Sequence, residues 1–373
     1  MSRDTCRKWG VSRVPSLCRL SRFLLVGIGG SGLAGHNVPR IMGGGFLREV
    51  RVLEKNVELP EHSPAKVTYM GNVTLITTFQ KQPGAPPVRK VDADHYEDLR
   101  TGEVFEYEHI EDRSECHQSI QRTLAYIRAL INVNVTVPKN CRWVTLTYAE
   151  NMRDTERLYS DFKKFWQKFC RYCAANGIGK PEYICVIEPQ GRGAWHIHAF
   201  FIWDSPAPFI DNNSVLEVLW PHGFTKISAV SNCDNVGAYF SAYLADMPLE
   251  DLERLPKAEQ EQALKAGCRV LHKEFTDGNG HTKSKKFVKG GRLYLYPPKM
   301  QIIRKSKGIK KPFSEQMTAQ EAKKKVSSAK LTFSRTYEVV SETSSGYAGT
   351  GGATDVPKSV NIIRKDYYNS KRK

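Results

Sequence analysis

The tripeptide His196-Ile197-His198 is the part of the sequence whose spacing most directly suggests chemistry. On an extended strand, residues i and i+2 project from the same face, so both imidazoles can reach one ion while Ile197 enters the opposite layer. Glu188 lies just upstream, across Pro189-Gln-Gly-Arg-Gly-Ala194, a connection that predicts a hairpin and would bring the carboxylate beside the pair. Two imidazoles and one carboxylate leave positions open for water or phosphate oxygens, which suits a catalytic ion rather than a structural one. Mg²⁺ or Mn²⁺ fits a phosphodiester reaction, and zinc is compatible with the same donors. Each residue also has an ordinary reading, because paired histidines on a strand are often polar surface and Glu188 is equally a hairpin-end acid.

Tyr239 and Tyr243 supply a second kind of reactive group. They lie four residues apart in Val236-Gly-Ala-Tyr-Phe-Ser-Ala-Tyr-Leu244, so on a helix they share a face. A phenol becomes a nucleophile when its proton is removed and the attacked phosphate is polarised. With Val236, Phe240 and Leu244, the same spacing also describes a core stripe.

These groups need a scaffold, and the flanking sequence predicts one. Residues 143–148 read as a strand, and Asp154 as the N-cap of a helix to about 175 with Leu158, Phe162, Phe165, Trp166 and Phe169 on one stripe. Strands at 183–188 and 195–203 form the hairpin. A helix at 213–220, a strand at 224–230 and a helix at about 234–246 follow. This order predicts an α+β fold, a split βαβ antiparallel sheet of the ferredoxin or RRM type with helices packed on it. The expected organisation is a flexible tail or over-long start at 1–45, with Met42 as the initiator in the second case, then a lead-in region at 46–137 with a helix at 114–131. The site-bearing domain spans 138–248, a helical and basic extension 249–335, and a linker with a basic tail 336–373. The extension opens with a charged helix at 249–266 and a turn at 277–280. The apolar run at 23–28 is too short for a convincing signal peptide or membrane span.

Composition narrows the class of partner. The chain has 373 residues, a net charge of +17 and 40% hydrophobic residues, which excludes pure disorder and leaves room for a substantial core. Between 281 and 330 there are fifteen Lys and Arg against two acids, Glu315 and Glu321, a block that favours a polyanion. Nine scattered cysteines suit reduced thiols in a cytosol, and Cys170 and Cys173 fit helix packing better than half a zinc knuckle.

Three segments in order, Thr145-Leu-Thr-Tyr148, Glu188 to His198, and Asn235-Val-Gly-Ala-Tyr-Phe-Ser-Ala-Tyr243, resemble the motifs of HUH-type rolling-circle replication initiators. The nearest subgroup is the replication-associated (Rep) proteins of phages and bacterial mobile elements, plasmids included. Arg292-Leu-Tyr-Leu-Tyr-Pro-Pro298 and Ser306-Lys-Gly-Ile-Lys-Lys-Pro312 resemble a downstream element of such proteins, and the resemblance covers roughly 114–312. It implies an HUH endonuclease fold, His196, His198 and Glu188 as ligands of Mg²⁺ or Mn²⁺, and Tyr239 or Tyr243 as the nucleophile. That tyrosine would nick single-stranded origin DNA, keep the 5′-phosphate as a phosphotyrosine and free a 3′-OH. No Gly-x-x-x-x-Gly-Lys-Ser/Thr occurs, so a host helicase and polymerase are expected partners, in a bacterial cytoplasm and away from membranes. Many relatives place basic residues where this chain has Ala242 and Asp246, which leaves oxyanion neutralisation to the metal, Arg192 or Lys226. Lys285, Lys286, Lys289, Arg292, Arg304, Lys305, Lys307, Lys310 and Lys311 are expected to hold DNA. A relaxase or transposase with the same chemistry, and a non-catalytic RRM-like nucleic-acid-binding protein, are the alternatives.

Overall fold

The computed structural model describes residues 48–83, 88–99, 102–106, 117–230, 234–241, 244–267, 269–276, 282–298, 300–342 and 358–372. The start at 1–45, the turn at 277–280 and most of the Ser/Gly/Thr-rich linker lie outside them. The chain first forms β1 (Arg48–Val52), β2 (Pro64–Met70), β3 (Val73–Phe79), β4 (Val88–Lys90), β5 (His95–Asp98), β6 (Val104–Glu106) and α1 (His117–Asn134). It continues through β7 (Cys141–Thr147), α2 (Thr155–Ala175), β8 (Glu182–Pro189), β9 (Trp195–Ile202), α3 (Glu217–Leu219), β10 (Thr225–Ala229) and α4 (Val236–Ser241). Next come β11 (Met247–Pro248), α5 (Leu249–Leu252), α6 (Lys257–Ala266), β12 (Arg269–Thr276), β13 (Thr282–Lys289) and β14 (Ile303–Lys305). The last elements are β15 (Phe313–Thr318), α7 (Ala319–Lys325), β16 (Lys330–Glu342) and β17 (Lys358–Asn369). The architecture is mixed α+β with antiparallel sheets, divided into two compact units.

The histidine-bearing unit comprises the described parts of 137–233 and 239–308. Its five-stranded sheet has the order β10-β7-β9-β8-β14, with every pairing antiparallel. Strand alternation divides its side chains. Ile197, Ala199 and Phe201 point to a back layer, where Phe201 lies 4.8 Å from the Phe169 ring and 6.3 Å from the Phe165 ring of α2. The helix is where the sequence predicts it, because the Asp154 carboxylate accepts from the backbone N–H of Glu156 and Arg157 at 2.8 and 3.0 Å and Gly177, at φ +63°, closes the other end. Cys170 and Cys173 lie on this helix as free thiols, with Cys173 fully buried, so the pair serves packing.

Three helices differ from expectation for identifiable reasons. The segment 212–219 is one π turn followed by the short α3. The helix expected over 234–246 is regular only through Ser241 among the described residues, and Ala245 takes φ +65°. The charged helix at 249–266 is two helices with Pro256 between them, since proline donates no hydrogen bond and restricts the residue before it. The lysine-rich stretch after 281 opens with β13, which pairs along its length with β12 and with β11 at its end.

The second unit contains the described parts of 30–136, 234–238 and 309–373. Its six-stranded sheet has the order β1-β16-β17-β3-β2-β15. Residues 358–369, which the sequence assigns to a basic tail, form the interior strand β17 between β16 and β3. Ala322 and Val326, on and just after α7, pack against Ala65, Val67 and Ile76, and Ala129 of α1 packs against Met70 and Val73. Among the described residues, no helix is long and apolar enough to cross a membrane.

Candidate metal centre

The hairpin places Glu188 directly opposite His196 across β8 and β9, and His198 two residues along on the same face. His196 Nε2 lies 3.3 Å from Glu188 Oε2, and His198 Nε2 lies 3.7 Å from the same oxygen. The three ligating atoms fall within 4.8 Å of one another, as donors to a single ion must. The turn is fixed rather than loose. Gly193 adopts φ +88°, its N–H donates to Gln190 O at 2.8 Å, and Arg192 donates to the carbonyls of Tyr148 and Ala149 and to Gln190 Oε1. Arg192, a candidate phosphate ligand by sequence, thus ties the hairpin to the end of β7.

The second carboxylate oxygen of Glu188 is held separately. Arg292 Nη1 donates to Oε1 at 3.0 Å and to the Pro189 carbonyl at 3.2 Å, and the Ala245 N–H lies 3.3 Å from Oε1. Oε2 therefore faces the imidazoles while Oε1 is occupied. The supporting loop is itself clamped: the Arg292 N–H donates to Ala245 O at 2.9 Å, and the Gly290 N–H donates to the buried Asp246 carboxylate at 3.1 Å. Asp246, which stands where relatives carry a base, has Lys289 Nζ 3.7 Å away and anchors the turn that delivers Arg292. The sequence offers Arg292 only as a member of the basic run, and its contact with a carboxylate 104 residues away has no local signature.

Burial alone would raise the Glu188 carboxyl, but the His196 hydrogen bond and the nearby Arg292 and imidazoles outweigh it and hold it down at about 2. Burial, with His196 beside it, pushes the His198 imidazolium down to about 3, so this ring is neutral and ready to coordinate at neutral pH. Thr145 Oγ1 lies 3.2 Å from His198 Nδ1, which orients Nε2 toward Glu188, and the Trp143 and Phe240 rings pack at 6.0 and 5.8 Å. The donor set therefore fits a divalent cation, and outer partners hold two of its three members. Thr145→Val is expected to weaken Mn²⁺ binding by roughly 10–100-fold, measured by titration calorimetry, with the melting temperature in EDTA little changed.

The remaining expected residues divide by position. Lys226 lies on β10 opposite Thr145, which lies opposite His198, so the lysine shares the histidine face at one sheet edge. Lys305 is opposite Ile184 and in turn Phe200, on the same face at the other edge. Arg304 is on the back, 4.4 Å over the Tyr159 ring. Lys285 lies 3.8 Å from Glu250, Lys286 and Lys307 are exposed, and Lys310 and Lys311 are exposed in the second unit. Tyr239 lies on α4; its side chain and all of Tyr243 and Ala242 lie outside the described residues.

No curated protein and no solved structure matches the chain. A family model does match, over residues 141–248, a segment that begins at the first residue of β7 and holds Glu188, His196, His198 and α4. The donor cluster thus lies inside the matched stretch, and residues 141–248 are a segment of the replication-associated protein family of the ORF2 and gene 2 protein type, which supports a rolling-circle replication initiator (Rep).

Proposed function

We propose that the chain is an HUH-type initiator that nicks and rejoins single-stranded DNA at a replication origin, using Mg²⁺ or Mn²⁺ and a tyrosine nucleophile. The observation that carries this reading is the Glu188, His196 and His198 cluster, open to one ion, inside a replication-associated segment. A bound divalent cation supplies Lewis-acid polarisation of the scissile phosphate and neutralises its developing charge. The phenol of Tyr239 or Tyr243 loses its proton as its oxygen bonds to phosphorus. The P–O3′ bond breaks, and the departing 3′ oxygen takes up a proton to become the 3′-OH primer end. Rejoining reverses these steps. Arg292 keeps Glu188 ionised and presents one oxygen to the imidazoles. Lys226 and Lys305, at the two edges of the histidine face, position the phosphodiester backbone, and Lys226 takes the charge-neutralising role because Arg192 is spent on carbonyls. A host helicase and polymerase extend the primer.

The test is a denaturing-gel assay for covalent protein–DNA adducts on labelled oligonucleotides tiled across the DNA element that encodes the chain. An adduct with Mn²⁺ is expected, absent in EDTA. Loss in either Tyr239→Phe or Tyr243→Phe assigns the nucleophile, whereas an adduct in the double variant overturns the tyrosine mechanism.

A further inference from the structure

We infer that the six-stranded sheet of the second unit carries a separate binding face for single-stranded nucleic acid. Strand register aligns its charges. Arg335 lies opposite Lys365, Lys365 opposite Thr77, and Thr77 opposite Lys66, so these four residues form one row across β16, β17, β3 and β2. Directly opposed residues share a face, so three cations span three strand spacings, roughly 14 Å. Aromatic residues flank the row on the same face. Tyr337 lies two residues to one side of Arg335, and Phe333, opposite Tyr367, lies two to the other.

The rings and charges are in contact. The Arg335 guanidinium is 5.6 Å over the Phe333 ring, Lys365 Nζ is 5.3 Å over the Tyr337 ring, and Phe333 and Tyr367 pack edge to face at 5.9 Å. The paired strand positions of this face include no carboxylate. The acids of the sheet, among them Glu315, Glu338 and Asp366, occupy the alternate positions on the other face, with Thr336 and Ile76. That other face is a buried one: Ala65, Val67, Ile76, Thr336 and Asp366 are all under 7% exposed. On the cation face, α1 covers the corner at Met70 and Val73, with Tyr367 at its border. The row beyond that corner is accessible, with Lys66 exposed and Arg335, Lys365 and Tyr337 half-exposed.

The open part of a sheet face is normally polar and mixed in charge. Here it combines rings with cations of one sign, which complements a strand whose bases are unstacked and whose backbone is anionic. A duplex, with its bases already stacked, could use only the charges. The DNA identity of the strand rests on the replication reading; the surface itself does not depend on the metal centre.

Fluorescence anisotropy of the full chain with labelled oligothymidylate, in EDTA and over a salt series, tests the proposal. Lys66→Ala, at an exposed position, is expected to flatten the salt slope by about 0.7, and Lys66→Arg to restore it. Tyr337→Ala is expected to weaken binding roughly tenfold or more. Photocrosslinking with bromodeoxyuridine is expected to label β16 or β17. Unchanged affinity and slope in both alanine variants, crosslinks confined to 137–308, or equal competition by duplex would overturn it. So would loss in Lys66→Ala of binding to anionic phospholipid vesicles alone, which would assign the face to a membrane. His196→Ala is expected to leave this binding intact, so failure of the nicking reading and failure of this surface are separable.

Discussion

Arg292→Ala is expected to lower the stability of the metal-free protein by about 3–5 kcal/mol at neutral pH, because it leaves the buried Glu188 carboxylate without its cation. Two of the Glu188 contacts survive, the Ala245 N–H and the His196 ring, which keeps the loss near that range rather than above it. The pH dependence separates this cause from lost packing. Glu188 titrates near 4.5 when unperturbed and at about 2 in the fold, so its ionised form contributes stability that is present above 4.5 and lost as pH falls toward 2. Arg292 supplies part of that depression. The stability gap between the parent and Arg292→Ala should therefore be widest near neutrality and narrow as pH falls from 4.5 toward 2. A gap that stays constant with pH would mean that the guanidinium acts through packing alone. Arg292→Lys should recover part of the stability, since one ammonium can reach Oε1 but cannot also fork to Asp251, whose carboxylate lies 3.6 Å from Arg292 Nη2. Chemical denaturation at several pH values measures all three.

The reason such a residue escapes sequence reading lies in the difference between local and distant determinants. The hairpin carrying Glu188 and the histidines is legible because alternation, β-branched residues and a glycine turn all act within twenty residues. The same holds for α2, whose cap and aromatic stripe are both local. Arg292 reaches Glu188 only because Asp246 and Ala245 fix the Gly290 turn, a chain of contacts that no window contains. Its charge is legible and its partner is not, so in the sequence it merges with the lysines around it. Strand β17 is hidden for a related reason: it pairs with β3 across nearly the whole length of the chain, and its alternation of cations and rings resembles a polar tail until the register of β16 shows that the two sets belong to opposite faces. The sequence alone runs one helix through 249–266, because charged residues with good propensity continue past Pro256, and proline decides the outcome.

His196→Ala and His198→Ala should each abolish the adduct-forming activity while leaving the fold in place, but by routes that differ in the absence of metal. Losing a direct ligand is expected to cost Mn²⁺ affinity at least about 100-fold, more than loss of an outer partner. Removing several kcal/mol of charge stabilisation at the phosphate should slow adduct formation by roughly 10³-fold. In EDTA the two variants part company. His198 is held neutral by burial between Trp143 and Phe240, and its folded value of about 3 lies below the ordinary 6.5. The unfolded chain therefore binds a proton at this site that the folded chain refuses, and stability falls as pH drops from 6.5 toward 3. His198→Ala removes that penalty. Its melting temperature should decline less than the parent's between pH 7 and pH 5, offsetting part of the packing lost beside the two rings. Parallel acid profiles for parent and variant would show that His198 is already protonated in the folded protein, and therefore that it is not preset to coordinate.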